Sequence, residues 1–324
     1  MPSPLSPHPR LRIGTRGSPL ALAQSEETCA RLRLTQPALA EPGAIEVVVI
    51  KTSGDKILDR PLAEVGGKGL FTKEIDEALL AGRVDLAVHS AKDLPTWLPE
   101  PIILAATLTR EDPRDALIAT SAQTLAELPE GCVVGTSSLR RQAQLLHHRP
   151  DLSVVPLRGN VASRLRKVGD GHLGATFLAM AGLNRLSARG GLADCDVPRV
   201  PIATHVMLPA VGQAAIAITC REDDEAVRML LAAIDDRPTH LCVAAERAML
   251  ERLDGSCRTP IAGLAGLDEA CGGLTLSGLI ARPDGSAIIT RKSSGGADDG
   301  ARLGRELAEE LLADAGPGFL DRDP

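Results

Sequence analysis

Two short segments concentrate arginine in a chain that is acidic overall: Gly135-Thr136-Ser137-Ser138-Leu139-Arg140-Arg141 and Leu157-Arg158-Gly159-Asn160-Val161-Ala162-Ser163-Arg164. Between Gly135 and Lys167 the one acid is Asp151, although the whole chain carries 42 acidic against 36 basic side chains, a net charge of −6. Guanidinium forks pair with carboxylate or phosphate in a directed, bidentate way. The pattern therefore predicts the walls of a pocket for a ligand with several negative groups. Phosphate is the weaker choice, because neither phosphate-binding glycine motif is present and Gly66-Gly67-Lys68-Gly69 fits none. An enzyme and a binding protein would both use such walls.

Two further residues could do chemistry. Asp93 closes Ala87-Val-His-Ser-Ala-Lys92-Asp93. Beside a cationic centre it would stabilise charge; otherwise it is a turn carboxylate paired with Lys92. His89 reads as a packed or hydrogen-bonded histidine rather than a base, and no Ser-His-Asp arrangement follows from the spacings. Cys257 lies in the polar turn Leu253-Asp-Gly-Ser-Cys-Arg-Thr-Pro260. Lone cysteines are mostly small buried hydrophobes, but this one sits in a loop where Arg258 could favour its thiolate. A covalent bond could form there, with a partner that spacing does not name.

The whole chain bounds these readings. Its 324 residues suggest two or three domains. Aromatics make up 1% of it, namely Trp97, three Phe and no Tyr, so the core must be aliphatic. Net negative charge and missing aromatics argue against nonspecific nucleic-acid binding and base stacking. The seven cysteines form no C-x-x-C pair and no zinc spacing, which suits reduced thiols in a cytoplasm. Residues 1–10 lack the apolar stretch of a signal peptide and read as a frayed tail. No run is long enough to span a membrane.

Elements that would hold the candidates alternate between strand and helix. Strands are expected over 11–15, 45–51, 84–88 and 102–107, the second of a kind buried on both faces. Ser18 caps a helix with Pro19 at its first position, and a helix is expected over 72–81. Residues 52–70 are Gly-rich and charged without a clear period, and read as a mobile functional loop. After a polar crossing over 110–115, strands over 132–135, 153–157 and 175–179 alternate with helices over 138–148, 161–168 and 182–188. A strand over 215–219 and a helix over 223–234 follow. The remainder reads as a long helix ending at Gly255, three antiparallel strands (261–267, 274–280, 287–291) and a helix over 301–313. The fold class is α/β: two lobes like a periplasmic binding protein with crossing strands, plus a small α+β C-terminal domain. Asp93, Thr136–Arg141, Arg158 and Asn160 all follow strands, where open α/β sheets bind ligands.

These residues resemble the hydroxymethylbilane synthase, or porphobilinogen deaminase, family from Arg12 onward. The resemblance rests on Thr15-Arg16-Gly-Ser18-Pro-Leu-Ala21, Val65-Gly-Gly-Lys68-Gly-Leu-Phe71, Ala87-Val-His-Ser-Ala-Lys92-Asp93, Glu111-Asp-Pro-Arg-Asp-Ala116, Val134-Gly-Thr-Ser-Ser-Leu-Arg-Arg-Gln142, Leu157-Arg-Gly-Asn-Val161 and Leu208-Pro-Ala-Val-Gly-Gln213, in order. No single motif is decisive; the series is. It implies a dipyrromethane cofactor, built from two substrate molecules and held by a thioether to Cys257. It also implies four additions of porphobilinogen with loss of ammonia, then hydrolysis to linear hydroxymethylbilane. Every pyrrole carries an acetate and a propionate, which would give the arginine walls their purpose.

By the same resemblance, Arg140, Arg141, Arg158 and Arg164 would hold carboxylates. Arg16, Ser18, Lys92, Thr136, Ser138, Arg185 and Gln213 would contribute, and 52–70 would form a lid, with Lys68 and Phe71 near the site. Asp93 would stabilise the electron-poor azafulvene and the cation that follows it. The implied domains are 11–108 with 214–234, then 109–213, then 235–324, the last carrying the cofactor into the cleft between the other two. The family more often has Gly-Gly-Cys where this chain has Gly255-Ser256-Cys257. A cytoplasmic monomer is expected. The competing readings are a two-lobed anionic-solute-binding or effector-sensing module, which has no use for Cys257, and a cysteine-nucleophile hydrolase or transferase.

Overall fold

A computed structural model describes residues 10–56, 69–193, 195–255, 259–268 and 272–320. In chain order, β1 (Leu11–Thr15), β2 (Ile45–Val49), β3 (Leu86–Ser90) and β4 (Ile102–Thr107) begin the first lobe. The second lobe follows with β5 (Asp115–Ala119), β6 (Val133–Gly135), β7 (Ser153–Val155), β8 (Ala175–Ala179) and β9 (Arg199–Pro201). The chain then returns to the first sheet as β10 (Ile216–Arg221) and ends with β11 (Ile261–Asp268), β12 (Gly273–Ala281) and β13 (Ile288–Gly296). Sheet orders are β2-β1-β3-β10-β4, β7-β6-β8-β5-β9 and β11-β12-β13. In each five-stranded sheet four strands run in one direction, and the fourth position is taken antiparallel by the strand that has just crossed between lobes, β10 or β5.

Among the described residues the helices are α1 (Pro19–Thr35), α2 (Ser53–Lys56), α3 (Lys73–Leu80), α4 (Leu139–His148), α5 (Val161–Gly169), α6 (Met180–Ser187), α7 (Glu225–Ala232), α8 (Arg237–Arg252) and α9 (Gly300–Ala315). Local chemistry sets their starts. Ser18, Ser138, Asn160 and Asp236 each accept a backbone N–H at the cap of α1, α4, α5 and α8, with Pro19 and Pro238 in the first turns of α1 and α8. α8 and α9 cover one face of the three-stranded sheet, burying Met249, Leu276, Leu307 and Leu311. Its other face meets α4 of the second lobe through Ala143, Leu208, Ala262 and Leu279. The β12–β13 turn docks there too. Gly285 has φ +75, and a Cβ on it would come within 2.5 Å of the His147 nitrogen in α4.

Three expectations change. β2 is not buried on both faces: it is the sheet edge, and Val47 and Val49 are exposed. β3 begins two residues later than the apolar run, because the Asp85 side chain takes the Arg12 N–H at 2.7 Å and its guanidinium at 2.6 Å. β5 and β9 were not anticipated. β5 opens on Asp115, a charged residue at the end of the polar crossing over 110–115, and β9 is three residues long and ends at Pro201. No helix among the described residues is long and apolar enough to cross a membrane.

Candidate functional site

The arginine-rich turn after β6 is built from hydroxyls. Thr136 Oγ1 accepts the Ser138 N–H at 3.1 Å, and Ser138 Oγ accepts that of Arg141 at 3.4 Å to start α4. Ser137 Oγ bonds both the carbonyl and the N–H of Leu157, at 3.0 and 3.1 Å, so the two basic segments are stitched together.

The guanidinia of Arg140 and Arg141 turn inward rather than lining an open wall. They are 5% and 7% exposed and converge on Asp115 of β5, which is fully buried. Arg140 Nη1 donates to Asp115 Oδ2 and to Leu208 O, both at 2.8 Å. Arg141 Nη2 and Nε donate to Oδ1 at 2.7 and 3.1 Å, while its Nη1 reaches Phe177 O at 2.8 Å. Burial alone would raise the Asp115 carboxyl, but the two cations hold it well below the usual range. The stretch that looks almost free of acid in the sequence therefore receives one from a distant segment.

Gln213 extends the cluster to the first lobe. Its Nε2 donates to Asp115 Oδ1 at 3.1 Å and Pro113 O at 2.9 Å, and its Oε1 lies 3.4 Å from Lys92 Nζ. Burial pushes the Lys92 ammonium down to about 8, against the pull of Asp93 and with the push of Arg141. Just before Gln213, Gly212 (φ +69) packs on the peptide of this turn: a Cβ there would lie 3.0 Å from the Ala91 carbonyl carbon and 3.1 Å from the Lys92 nitrogen.

Asp93 ends the single 3₁₀ turn Ala91–Asp93 at the carboxyl end of β3. Its side chain is 34% exposed, and Oδ2 is 3.9 Å from Arg16 Nη1. Arg16 is itself anchored by Asp55 at 2.5 Å and lies over the Phe71 ring, 4.1 Å from its centroid. Arg16, Ser18, Gln24, Phe71, Ser90 and Asp93 line one pocket of this lobe. His89 backs it, buried and 3.2 Å from Thr219 Oγ1. Burial, with Arg16 and Arg247 nearby, pushes His89 down to about 4, so it is neutral at pH 7 and not a base in that range.

Across the cleft, Arg164 of α5 donates to Gly159 O at 2.8 Å. Burial lowers its guanidinium to about 10; the cations of Arg141 and Arg158 push the same way, and Asp93 opposes them. Asp93 is thus within electrostatic range of Arg164, at the basic end of the second lobe. Arg185 does not join this group. It forms an interlobe ion pair with Glu27 of α1 at 2.9 Å and donates to Ala214 O at 3.2 Å. Lys68 and Cys257 lie outside the described residues, as do 57–67 of the expected lid.

Sequence reasoning missed Asp115, Asp55, Gln24 and Ser90. The one signal was at Asp115, a lone charge opening the apolar run Asp115-Ala-Leu-Ile-Ala119. Such a residue needs a buried cation as partner. Among the described residues, no group of His, Cys, Asp and Glu could hold a metal ion.

Two family models match the chain: "Porphobilinogen deaminase, dipyromethane cofactor binding domain" over residues 11–229 and "Porphobilinogen deaminase, C-terminal domain" over 240–313. The porphobilinogen deaminase of Paracoccus denitrificans is 53% identical over 321 residues, covering 99% of this chain and 98% of that one. The chloroplastic porphobilinogen deaminase of Oryza sativa subsp. japonica is 52% identical over 313 residues, covering 96% and 86%. Among solved structures, the periplasmic aliphatic sulphonate binding protein of Escherichia coli matches with a TM-score of 0.40 and 14% identity, over 75% of this chain and 70% of that one.

Proposed function

Because the chain belongs to the porphobilinogen deaminase family, we propose that the cleft described above condenses porphobilinogen into hydroxymethylbilane on a dipyrromethane held by Cys257. The activity is that of a transferase in tetrapyrrole (porphyrin, haem) biosynthesis, and the family match includes the dipyrromethane-binding domain. The residues present suit that group. Arg16, Lys92, Arg140, Arg141 and Arg164 gather around three carboxylates, Asp55, Asp93 and Asp115, leaving an excess of positive charge for acetate and propionate side arms.

When bound, the dipyrromethane would supply the free α-carbon that takes the first pyrrole, each later one joining the terminal ring. Asp93 accepts hydrogen bonds from pyrrole N–H groups and stabilises the positive charge that develops as ammonia leaves. Lys92, Arg158 and Arg164 hold side-arm carboxylates. Arg140 and Arg141 act from behind them, as fixed charges already neutralised in part by Asp115. Arg16, kept in place by Asp55 and Phe71, borders the incoming substrate together with Ser18 and Gln24. Thr136, Ser138 and Gln213 hold these charges in register, and Arg185 holds the lobes together. Lys68 contributes from the lid. His89, neutral and buried, takes no proton at pH 7. The protein acts as a cytoplasmic monomer without membrane or nucleic-acid partners, its lobes bounded near 108, 213 and 234.

The observation that carries this reading is the position of Asp93, a partly exposed carboxylate at a strand end, 3.9 Å from the Arg16 guanidinium and within electrostatic range of Arg164. The test is the intact mass of the purified protein. We expect an adduct the size of two condensed pyrrole units, absent from Cys257→Ser; an unmodified, fully active chain would refute the tether. A two-lobed solute-binding or effector-sensing module is not favoured, since both family models and the full-length relatives are those of an enzyme.

A further inference from the structure

The C-terminal domain reaches the Asp93 turn through a side chain that the reaction scheme leaves unused. Arg247 of α8 donates from Nη1 to Leu94 O at 3.1 Å and from Nη2 to Pro95 O at 2.6 Å and Thr96 O at 3.1 Å. These are the three consecutive carbonyls that follow Asp93. Among the described residues Arg247 makes no ion pair within 4.0 Å. A planar fork directed at neutral carbonyls fixes backbone position instead of cancelling charge. Burial lowers its guanidinium to about 10, with Glu251 opposing, so it stays protonated at neutral pH.

The two sides of the turn are held differently. Its entry is fixed by the β3–β10 ladder, where Ser90 pairs with Ile216, and by the Ala91 N–H on Ala215 O at 3.0 Å. At its exit the Leu94 N–H closes the turn on Ala91 O at 3.2 Å. Beyond that, Pro95 has no N–H to give, and the carbonyls of 94–96 are taken by Arg247. α8 ends at Arg252, five residues before the cysteine proposed as the tether.

We propose that Arg247 is a positioning residue for the reaction: by clamping the carbonyls of Leu94, Pro95 and Thr96, it fixes the Asp93 carboxylate relative to the helix that leads to Cys257. The proposal rests on the activity assigned above, but one readout is independent of it. Trp97 is the single tryptophan of the chain, is 68% exposed, and follows Thr96 directly, so its emission reports on the clamped segment.

The experiment compares the wild-type protein, as purified with its adduct, with Arg247→Met and Arg247→Lys. Time-resolved anisotropy of Trp97, intact mass, thermal midpoint, and kcat and KM for porphobilinogen are measured. In Arg247→Met we expect faster Trp97 depolarisation, an adduct state like wild type, and KM within about threefold. A displaced carboxylate should lower kcat on the order of tenfold to a hundredfold. Arg247→Lys, which keeps the charge but not the fork, should fall between. If Arg247→Met is recovered only unfolded, the lysine variant carries the same readouts, and wild-type values in it overturn the proposal. Unchanged Trp97 anisotropy with unchanged kcat overturns it as well, as does a raised KM at constant kcat. Absence of turnover in the wild type would defeat the assigned activity instead, leaving the Trp97 comparison to decide the clamp.

Discussion

Arg110 and Glu246 join the first lobe crossing to the C-terminal domain through a fork, with Nη1 2.5 Å from Oε1 and Nη2 3.2 Å from Oε2. Glu246 is fully buried and also accepts the N–H groups of Gly212 and Ala265, each at 2.7 Å. Arg110 Nε donates to Gln213 O at 2.9 Å. One ion pair therefore pins both crossings and the first strand of the small sheet.

Removing the acid should leave a largely buried cation and two orphaned N–H groups. Glu246→Ala is expected to lower the unfolding free energy by about 3–5 kcal/mol. Urea titration of both proteins checks this. A change under about 1 kcal/mol would mean that water replaces the carboxylate.

Asp115→Asn should be similarly costly, about 3–5 kcal/mol, because two buried guanidinia lose their shared counter-ion. The pH dependence has a definite sign. The folded carboxyl sits below its unfolded value near 3.9, so its stabilisation is complete above that pH and is lost as pH falls toward the folded value. The stability gap between wild type and Asp115→Asn should be flat above pH about 4 and narrow below it. Melting curves collected from pH 7 to pH 3 would expose a gap that behaves otherwise.

Asp93→Ala should preserve the fold, since the side chain is 34% exposed and the Arg16 guanidinium is 3.9 Å away. Turnover of porphobilinogen should drop by about a hundredfold or more, as expected for loss of a charge-stabilising group in a desolvated site. Stopped-time product assays alongside the thermal midpoint separate the two effects. Near-normal turnover would remove Asp93 from the mechanism.

Lys92 gives a second pH signature. Its ammonium is charged below about 8 and neutral above it. Affinity for the carboxylate-bearing substrate should weaken as pH rises through about 8, seen as a rising KM. Arg stays protonated there, so Lys92→Arg should lose that limb. Stability runs in the opposite sense. The folded value lies below the unfolded one near 10.4, so the cost of burying the charge fades between pH about 8 and 10.4. Identical KM profiles for the two proteins would assign the limb to another group.

Local order was legible in the residues themselves. Caps such as Ser18, Ser138 and Asn160 act through neighbours three positions away, and aliphatic runs alternate with helical patterns over a few turns. The α/β class, the antiparallel strands near the C-terminus, and the positions of Asp93, Arg140, Arg141 and Arg158 after strands follow from such short-range information. What the sequence could not contain is which charges meet. Asp115 stands 25 and 26 residues before Arg140 and Arg141, Glu246 is 136 residues beyond Arg110, and Arg247 lies more than 150 from the carbonyls it holds. Strand neighbours pose the same problem, which is why β2 became an exposed edge and β5 an inserted fourth strand. Residue type and spacing determined the chemistry available to this protein. Chain crossing and packing decided which charges face each other, because electrostatic pairing depends on distance in space and burial, neither of which is encoded in separation along the chain.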